Sequence, residues 1–133
     1  MMTASNSAAQ YQTAQFSTAD RGRLLVLMFD GGLRFLRSAE EGLRTDDVER
    51  FGNQLSRAQA VIAELLHTLD HKAGGEIAAN LDGLYRFMLE HLVEANVRKS
   101  AEHVREVRRI FEIVAGAYRE ILEPHAPAEA AGV

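Results

Sequence analysis

The sequence predicts an all-α protein, an antiparallel four-helix bundle, and three features favour that fold class. Proline occurs only at Pro124 and Pro127, so no proline interrupts residues 1–123. Ala, Leu, Glu and Arg, which favour helices, are abundant, whereas β-branched residues are few. Apolar residues recur at alternating steps of three and four, as they do along one face of a helix. A chain of 133 residues fits a single domain with its own core.

The first helix is predicted to run from Thr18 to about Glu41. The Thr18 side chain can cap the first turn, and Asp20 suits the positive end of the helix dipole. Gly42 marks the expected end of this helix. The preceding residues 1–17 are mostly small and polar, so we expect a flexible N-terminal segment or a loosely docked cap.

The second helix is predicted from the capping residue Thr45 to about His71. Asp46 and Asp47 follow the cap, where acidic residues complement the helix dipole. The apolar residues of this segment form a heptad-like seam that should face the core. They are Val48, Phe51, Leu55, Ala58, Ile62, Leu65 and Leu69.

The third helix is expected at about Glu76 to Val97, separated from the second by Gly74 and Gly75. It carries more apolar surface than one seam requires. One stripe comprises Ile77, Leu81, Leu84, Met88, Leu92 and Ala95, and a second beside it comprises Tyr85, Leu89 and Val93. The two stripes favour a partner-binding groove in addition to a core, although a wide core-facing surface is the plainer alternative.

The fourth helix is predicted to begin after the cap residue Ser100 and to end near Leu122. Its seam comprises Val104, Val107, Phe111, Val114, Tyr118 and Ile121. Short connections between helices of roughly 20–26 residues favour antiparallel neighbours. Residues 18–122 are therefore expected to form the bundle domain, and residues 123–133 a short disordered tail.

The first helix also has unusual apolar surface. Six consecutive apolar residues run from Leu24 to Phe29, and Gly31 and Gly32 follow where the helix should continue. Each glycine costs about 1 kcal/mol relative to alanine inside a helix. The pair therefore indicates either close approach of another backbone or a bend, and the sequence does not separate these two interpretations.

Composition excludes several classes of function. The formal charge of −4 and the pI near 5.7 argue against a nucleic-acid partner, because such proteins normally carry a basic excess. The chain has no cysteine, which excludes disulfides and thiol chemistry. The start MMTASNSAAQYQ lacks the basic and apolar regions of a secretory signal, and no apolar run reaches the about 20 residues of a membrane span. We expect a cytoplasmic protein without direct membrane insertion.

One constellation of residues suggests a metal. Glu64 and His67 form an E-x-x-H pair, and His71 follows one turn later. Carboxylate-bridged di-iron bundles use two such pairs and two further glutamates, all pointing inward. Here there is one pair, and it lies off the seam of the second helix. We expect no metal and no cofactor, although a metal-carrying bundle remains an alternative that metal analysis would settle.

Catalytic arrangements are weaker still. The DGG sequence at Asp30 lacks the lysine of a phosphate-binding loop and lies inside a helical pattern. Arg105, Arg108 and Arg109 alternate with glutamates, which favours ion pairs on a helix surface over an anion site. We interpret the chain as a binding protein and not an enzyme.

The segment from Leu27 to Leu36 and the segment from Leu81 to Asn96 resemble FliS, the flagellin-specific export chaperone family. Tyr11, Phe16, Thr18-Ala19 and Leu24, followed by LMFDGGLRFL at residues 27–36, are similar to the N-terminal signature of that family. Ile62-Ala63-Glu64-Leu65 with Leu69-Asp70 is similar to its second helix, and LDGLYRFMLEHLVEAN at residues 81–96 to its third. The resemblance extends from Tyr11 to about Leu122 and rests on the order and spacing of these segments.

The chain departs from the family pattern in four places. Arg21 and Gly22 stand where a proline is common, and Phe29 where tyrosine is usual. Gly32 replaces a more frequent alanine, and Tyr118 stands where tryptophan is often found. These are changes of shape, and they bear on which flagellin is bound.

The resemblance implies a cytoplasmic chaperone that binds the disordered C-terminal segment of flagellin. Such a protein prevents premature polymerisation and supports export by the flagellar type III secretion apparatus; other flagellar regulatory or export proteins are further candidate partners. Residues 1–17 would then cover part of the groove or pack as a fixed cap. The residues expected to form the groove are Tyr11, Leu24, Met28, Leu81, Tyr85, Met88, Leu92 and Asn96. The alternative is a self-associating helical bundle without a flagellin client.

Overall fold

The computed structural model describes residues 18–122, which form four helices joined by short turns. Helix α1 spans Thr18–Arg44, α2 Val48–His67, α3 His71–Arg98 and α4 Ala101–Leu122. Consecutive helices run antiparallel, because each turn is only two or three residues long. The predicted all-α four-helix bundle is confirmed.

The helices pack in a ring around one core. Both α2 and α4 pack against α1, and both also pack against α3, so that α1 and α3 lie diagonally opposite each other. All four helices contribute fully buried side chains. The largest are Phe29, Leu36, Phe51, Leu55, Ile62, Leu65, Tyr85, Met88, Leu92, Val104, Val107 and Phe111. The core seams predicted for α2 and α4 are thus largely confirmed, apart from their terminal residues.

The paired glycines of α1 allow close packing against α4. A Cβ atom on Gly32 would lie 2.7 Å from Cζ of Phe111, whereas one on Gly31 would meet only the Arg34 guanidinium, at 3.8 Å. The Phe111 ring also packs against Phe29, with the ring centroids 5.3 Å apart. Close approach therefore explains Gly32, and α1 continues through both glycines to Arg44.

The turn between α1 and α2 differs from the prediction in both of its boundary residues. Helix α1 continues past Gly42 to Arg44, and Asp47 caps α2 in place of Thr45. The Asp47 carboxylate accepts from the Arg50 N–H at 3.0 Å. The Thr45 hydroxyl instead donates back to the Glu41 carbonyl at 2.9 Å, closing the end of α1.

The turn between α2 and α3 lies earlier in the sequence than predicted. Helix α2 ends at His67, and the Asp70 carboxylate caps α3 by accepting from the backbone N–H groups of Lys72 and Ala73. The predicted break at Gly74 and Gly75 is present as a kink inside α3. Gly75 has φ 52° and ψ −125°, a left-handed value of φ that glycine adopts without the steric cost of a Cβ.

The fourth helix follows the prediction closely. The Ser100 hydroxyl accepts from the His103 N–H at 3.2 Å and so caps the first turn. Along α4, Arg108 pairs with Glu40 of α1 and, at 3.1 Å, with Glu112. The expectation of ion pairs in this basic cluster is confirmed for Arg108, and its contact with Glu40 joins α4 to α1.

Candidate functional site

An apolar groove opens at the end of the bundle where α1 and α3 begin. It encloses about 490 Å³ and runs between these two diagonal helices. The turn after α2 and the last turns of α4 complete it. Its apolar lining includes Leu24, Leu25, Met28, Leu69, Ile77, Leu81 and Tyr118.

Helical spacing brings the lining residues of each helix onto one face. Leu24 and Met28 are four residues apart on α1, and Ile77 and Leu81 are four apart on α3, so each pair lies one turn apart on the same face. Leu24 is 55% exposed and Ile77 is 72% exposed. The other apolar residues of the lining are half-buried: Leu25, Met28, Leu69, Leu81 and Tyr118. An apolar patch of this kind is a candidate binding surface.

The titratable groups in and beside the groove offer no reactive side chain. Burial raises the pKa of Tyr118, whose ring packs 5.0 Å from the Phe29 ring between centroids. Burial also raises the pKa of the core residue Tyr85 well above its usual value, with a smaller contribution from Tyr118. Both hydroxyls are therefore neutral at physiological pH. Arg21 and Asp70 are the charged residues among the described lining, and Asp70 already caps α3.

The structure brings three of the eight predicted site residues into the groove. Leu24, Met28 and Leu81 line it. Tyr85, Met88 and Leu92 are instead at most 1% exposed and belong to the core. A partner would reach these three only if the bundle opened, and their part in binding stays a prediction.

The two remaining predicted residues lie elsewhere. Tyr11 is outside the described residues. Asn96 is exposed near the end of α3, where the Lys99 ammonium donates to its carbonyl oxygen at 2.8 Å and to its side-chain Oδ1 at 3.0 Å. Its side-chain oxygen thus already has a partner within the chain.

The predicted stripes on α3 have a different phase in the structure. The buried face is centred on Tyr85, Met88 and Leu92 and so takes residues from both stripes, while Ile77 and Leu84 of the first stripe and Val93 of the second are exposed. Sequence reasoning also missed Leu69 and Tyr118 as groove residues, because both had been assigned to the core seams of α2 and α4. They lie near the ends of those seams, where no neighbouring helix covers them fully.

Among the described residues, the ligand atoms of Glu64, His67 and His71 do not converge as a group of three. Glu64, His67 and His71 are all exposed, as the sequence indicated. His71 Nε2 lies 3.3 Å from the Asp82 carboxylate. Across residues 18–122, no helix is long and apolar enough to cross a bilayer.

Comparison with known proteins identifies one family along almost the whole chain. The family model described as "Flagellar protein FliS" matches residues 4–125. The chain is 36% identical over 125 residues to the flagellar secretion chaperone FliS of Salmonella typhimurium, covering 91% of this chain and 93% of that protein. It is 35% identical over 114 residues to the flagellar secretion chaperone FliSB of Pseudomonas aeruginosa, covering 83% of this chain and 90% of that protein. It is 30% identical over 122 residues to the FliS chaperone of Bacillus subtilis, covering 92% and 90%.

These matches cover nearly the whole chain and nearly the whole of each relative. They agree with the resemblance that the sequence carries from Tyr11 to Leu122. Each of these relatives is named a flagellar secretion chaperone. The chain belongs to the FliS family of flagellar secretion chaperones.

Proposed function

We propose that this protein is a cytoplasmic chaperone for flagellin that binds its disordered C-terminal segment in the groove between α1 and α3. Binding would keep flagellin from polymerising early and would present it to the flagellar type III secretion apparatus. The observation that carries the proposal is an exposed apolar groove beside a complete core. Membership of a family whose named relatives are flagellar secretion chaperones supports it.

The groove suits an amphipathic client. Its walls carry Leu24 and Met28 on one side and Ile77 and Leu81 on the other, with Arg21 and Asp70 among its charged lining residues. A disordered segment that folds here loses conformational entropy and gains apolar burial. Each Leu-sized side chain that becomes buried contributes roughly 1.5–3 kcal/mol, so a few such contacts offset the ordering of a short helix.

The first test is titration calorimetry with a peptide from the C-terminal segment of flagellin from the same organism, together with circular dichroism. We expect one-to-one binding, a negative heat-capacity change from apolar burial, and a gain in helicity. No heat and no gain in helicity would contradict the flagellin proposal while leaving the fold intact.

Matched variants locate the binding surface. Leu24→Gln changes a groove residue, and Leu27→Gln changes a residue on the same helix that is outside the groove lining and 65% exposed. Ile77→Gln and Val97→Gln form the same comparison on α3, with exposures of 72% and 74%. Losing one buried contact of roughly 1.5–3 kcal/mol weakens binding about 10- to 150-fold. We expect that loss for the groove variants and near-wild-type affinity for the controls.

The N-terminal segment is a candidate regulator of the groove. We propose that residues 1–17, through Tyr11 and Phe16, cover part of it until flagellin displaces them. A chain beginning at Thr18 would then bind the flagellin peptide more tightly than the full chain. Equal affinity would instead favour a segment that packs as a fixed cap.

Self-association is a second candidate function. Several large apolar side chains outside the groove are exposed, among them Phe87 at 44%, Val97 at 74% and Ile113 at 73%. Such surface can pair with a second copy of the chain. Sedimentation equilibrium from micromolar to millimolar concentration tests this: a mass that stays monomeric throughout would exclude it.

A further inference from the structure

A cluster of potential metal ligands lies at the end of the bundle remote from the groove. It consists of His91 near the end of α3 and His103 and Glu106 near the start of α4. One ligand atom from each residue lies within 4.8 Å of the other two. His91 Nε2 is 2.9 Å from Glu106 Oε1, and the two imidazole rings stack with centroids 4.4 Å apart.

Neighbouring residues contact both imidazole rings. The Ser100 hydroxyl lies 2.7 Å from His103 Nδ1, and it is anchored because it also caps α4. A proton on Nδ1 donated to this hydroxyl leaves the lone pair of Nε2 available, as in metal sites whose histidines are oriented by an outer hydrogen bond. On the other side, the Phe87 ring stacks on His91 with centroids 5.0 Å apart.

The residue types match a borderline divalent cation. Two imidazoles and one carboxylate are a three-ligand set that zinc accepts, with the fourth position left for water. His103 and Glu106 are three residues apart on α4, so they share a face, and His91 faces them from α3. We propose that His91, His103 and Glu106 form a site for Zn²⁺ or a similar first-row divalent cation that joins α3 to α4.

Binding requires the imidazole rings of His91 and His103 to turn, because stacked rings do not point their in-plane lone pairs at one position. Ligand atoms on a tetrahedral zinc ion are about 3.3 Å apart, given zinc–ligand distances near 2 Å, so the present spacing closes by about 1.5 Å at most. The Glu106 side chain is 51% exposed and can rotate, while that of His91 is 21% exposed. The ion replaces the His91–Glu106 hydrogen bond with two metal–ligand bonds. Any proton on the coordinating imidazole nitrogen is released to solvent.

The test is calorimetric titration of the full chain, without an affinity tag and after removal of metal by EDTA and dialysis, with ZnCl₂. We expect one zinc ion per chain and no comparable binding of MgCl₂, because magnesium prefers oxygen ligands. At a hundredfold excess over Kd, zinc should raise the Tm by roughly 5–10 °C. The absence of saturable binding below millimolar zinc overturns the proposal.

Variants distinguish this cluster from the other histidines. His91→Gln and His103→Gln should each weaken zinc affinity at least tenfold and, at the same zinc concentration, reduce the zinc-dependent rise in Tm to about half or less. His67→Gln and His125→Gln should change neither; His67 is exposed on α2, and His125 lies outside the described residues. Loss of binding in the His67 or His125 variant instead of the cluster variants overturns the assignment.

NMR of the wild-type protein tests the zinc site even if a cluster variant does not fold. Circular dichroism without metal first establishes whether each variant keeps wild-type helicity. In the wild-type protein, zinc should shift the imidazole NMR signals of His91 and His103 before those of His67 and His71. Shifts confined to the latter pair overturn the proposal whatever the variants show.

Discussion

At Gly42 the end of α1 lies directly against the backbone at the start of α2. A Cβ atom there would lie 2.7 Å from the Phe51 nitrogen and 3.0 Å from both the Asp47 carbonyl oxygen and the Phe51 Cα. The Gly42 carbonyl accepts from the Asp47 N–H at 2.6 Å. Because these neighbours are backbone atoms of the first turn of α2, they cannot rotate away from an added methyl group.

Gly42→Ala is therefore expected to destabilise the bundle. Overpacking costs about 1–3 kcal/mol, and contact with backbone places this site near the upper end, at about 3 kcal/mol. Replacing a helical glycine by alanine returns about 1 kcal/mol of helix propensity. The net loss is about 2 kcal/mol, or a fall in Tm of roughly 8 °C at about 4 °C per kcal/mol for a domain of this size.

Gly52→Ala is the matched control on the facing helix. A Cβ atom at Gly52 would have no heavy atom within 4 Å apart from its chain neighbours and the backbone of its own helix. The free energy of unfolding of this variant should therefore rise by roughly 0.4–1 kcal/mol. Urea denaturation followed by circular dichroism gives both free energies of unfolding, provided that the m-values match. A Gly42→Ala variant as stable as the wild type would refute the close approach, and a Gly52→Ala variant that lost stability would refute the propensity argument.

Three further predictions concern the turns and one surface carboxylate. Asp47→Ala should cost about 1 kcal/mol by removing the cap of α2, and Thr45→Ala less, as measured by urea denaturation; the reverse order would restore Thr45 as the cap. Lys99 has φ 54°, a left-handed conformation that costs an L-residue roughly 1–2 kcal/mol, whereas glycine costs about 0.4–1 kcal/mol through a freer unfolded chain. Lys99→Gly should therefore raise the free energy of unfolding by roughly 0.5–1 kcal/mol, and a loss would show that the Lys99 side chain matters more than its backbone. The Arg86 guanidinium holds the pKa of Asp82 below its usual 3.8, so this carboxylate stabilises the fold above that pH and its contribution is lost as pH falls through the lower folded-state pKa. The stability gap between wild type and Asp82→Asn should accordingly shrink in acid, and a gap independent of pH would contradict this.

The core of the bundle was predictable from local periodicity. On α2, the predicted positions Phe51, Leu55 and Ile62 are at most 1% exposed. On α4 the same is true of Val107 and Phe111. These two helices have one narrow apolar face each, so a single helical phase satisfies the pattern and the sequence specifies which residues turn inward.

The helix ends were less predictable, because neighbouring residues compete for the same role. Thr45 and Asp47 both have side chains that can cap a helix. Which of the two caps α2 depends on the hydrogen bonds at the end of α1, because the Thr45 hydroxyl donates to the Glu41 carbonyl of that helix. Asp47 is then the residue that caps α2. Likewise Gly42, which suggested a helix end, is required for the approach of Phe51 in the following helix. Both outcomes depend on tertiary contacts that no local pattern contains.

The groove shows most clearly where periodicity stops being informative. Helix α3 carries two neighbouring apolar stripes, so several helical phases fit, and the sequence does not say which stripe faces the core. In the structure Ile77 of the first stripe is 72% exposed, while Tyr85 of the second is buried. Leu69 and Tyr118 repeat with the buried seams of their own helices, yet both line the groove. Leu69 does so because α2 ends at His67, so that this position of the seam falls in the turn after the helix. A groove built from the ends of helices has no periodic pattern of its own in the sequence. Residue spacing therefore identified only some of the residues that line it, namely Leu24, Met28 and Leu81.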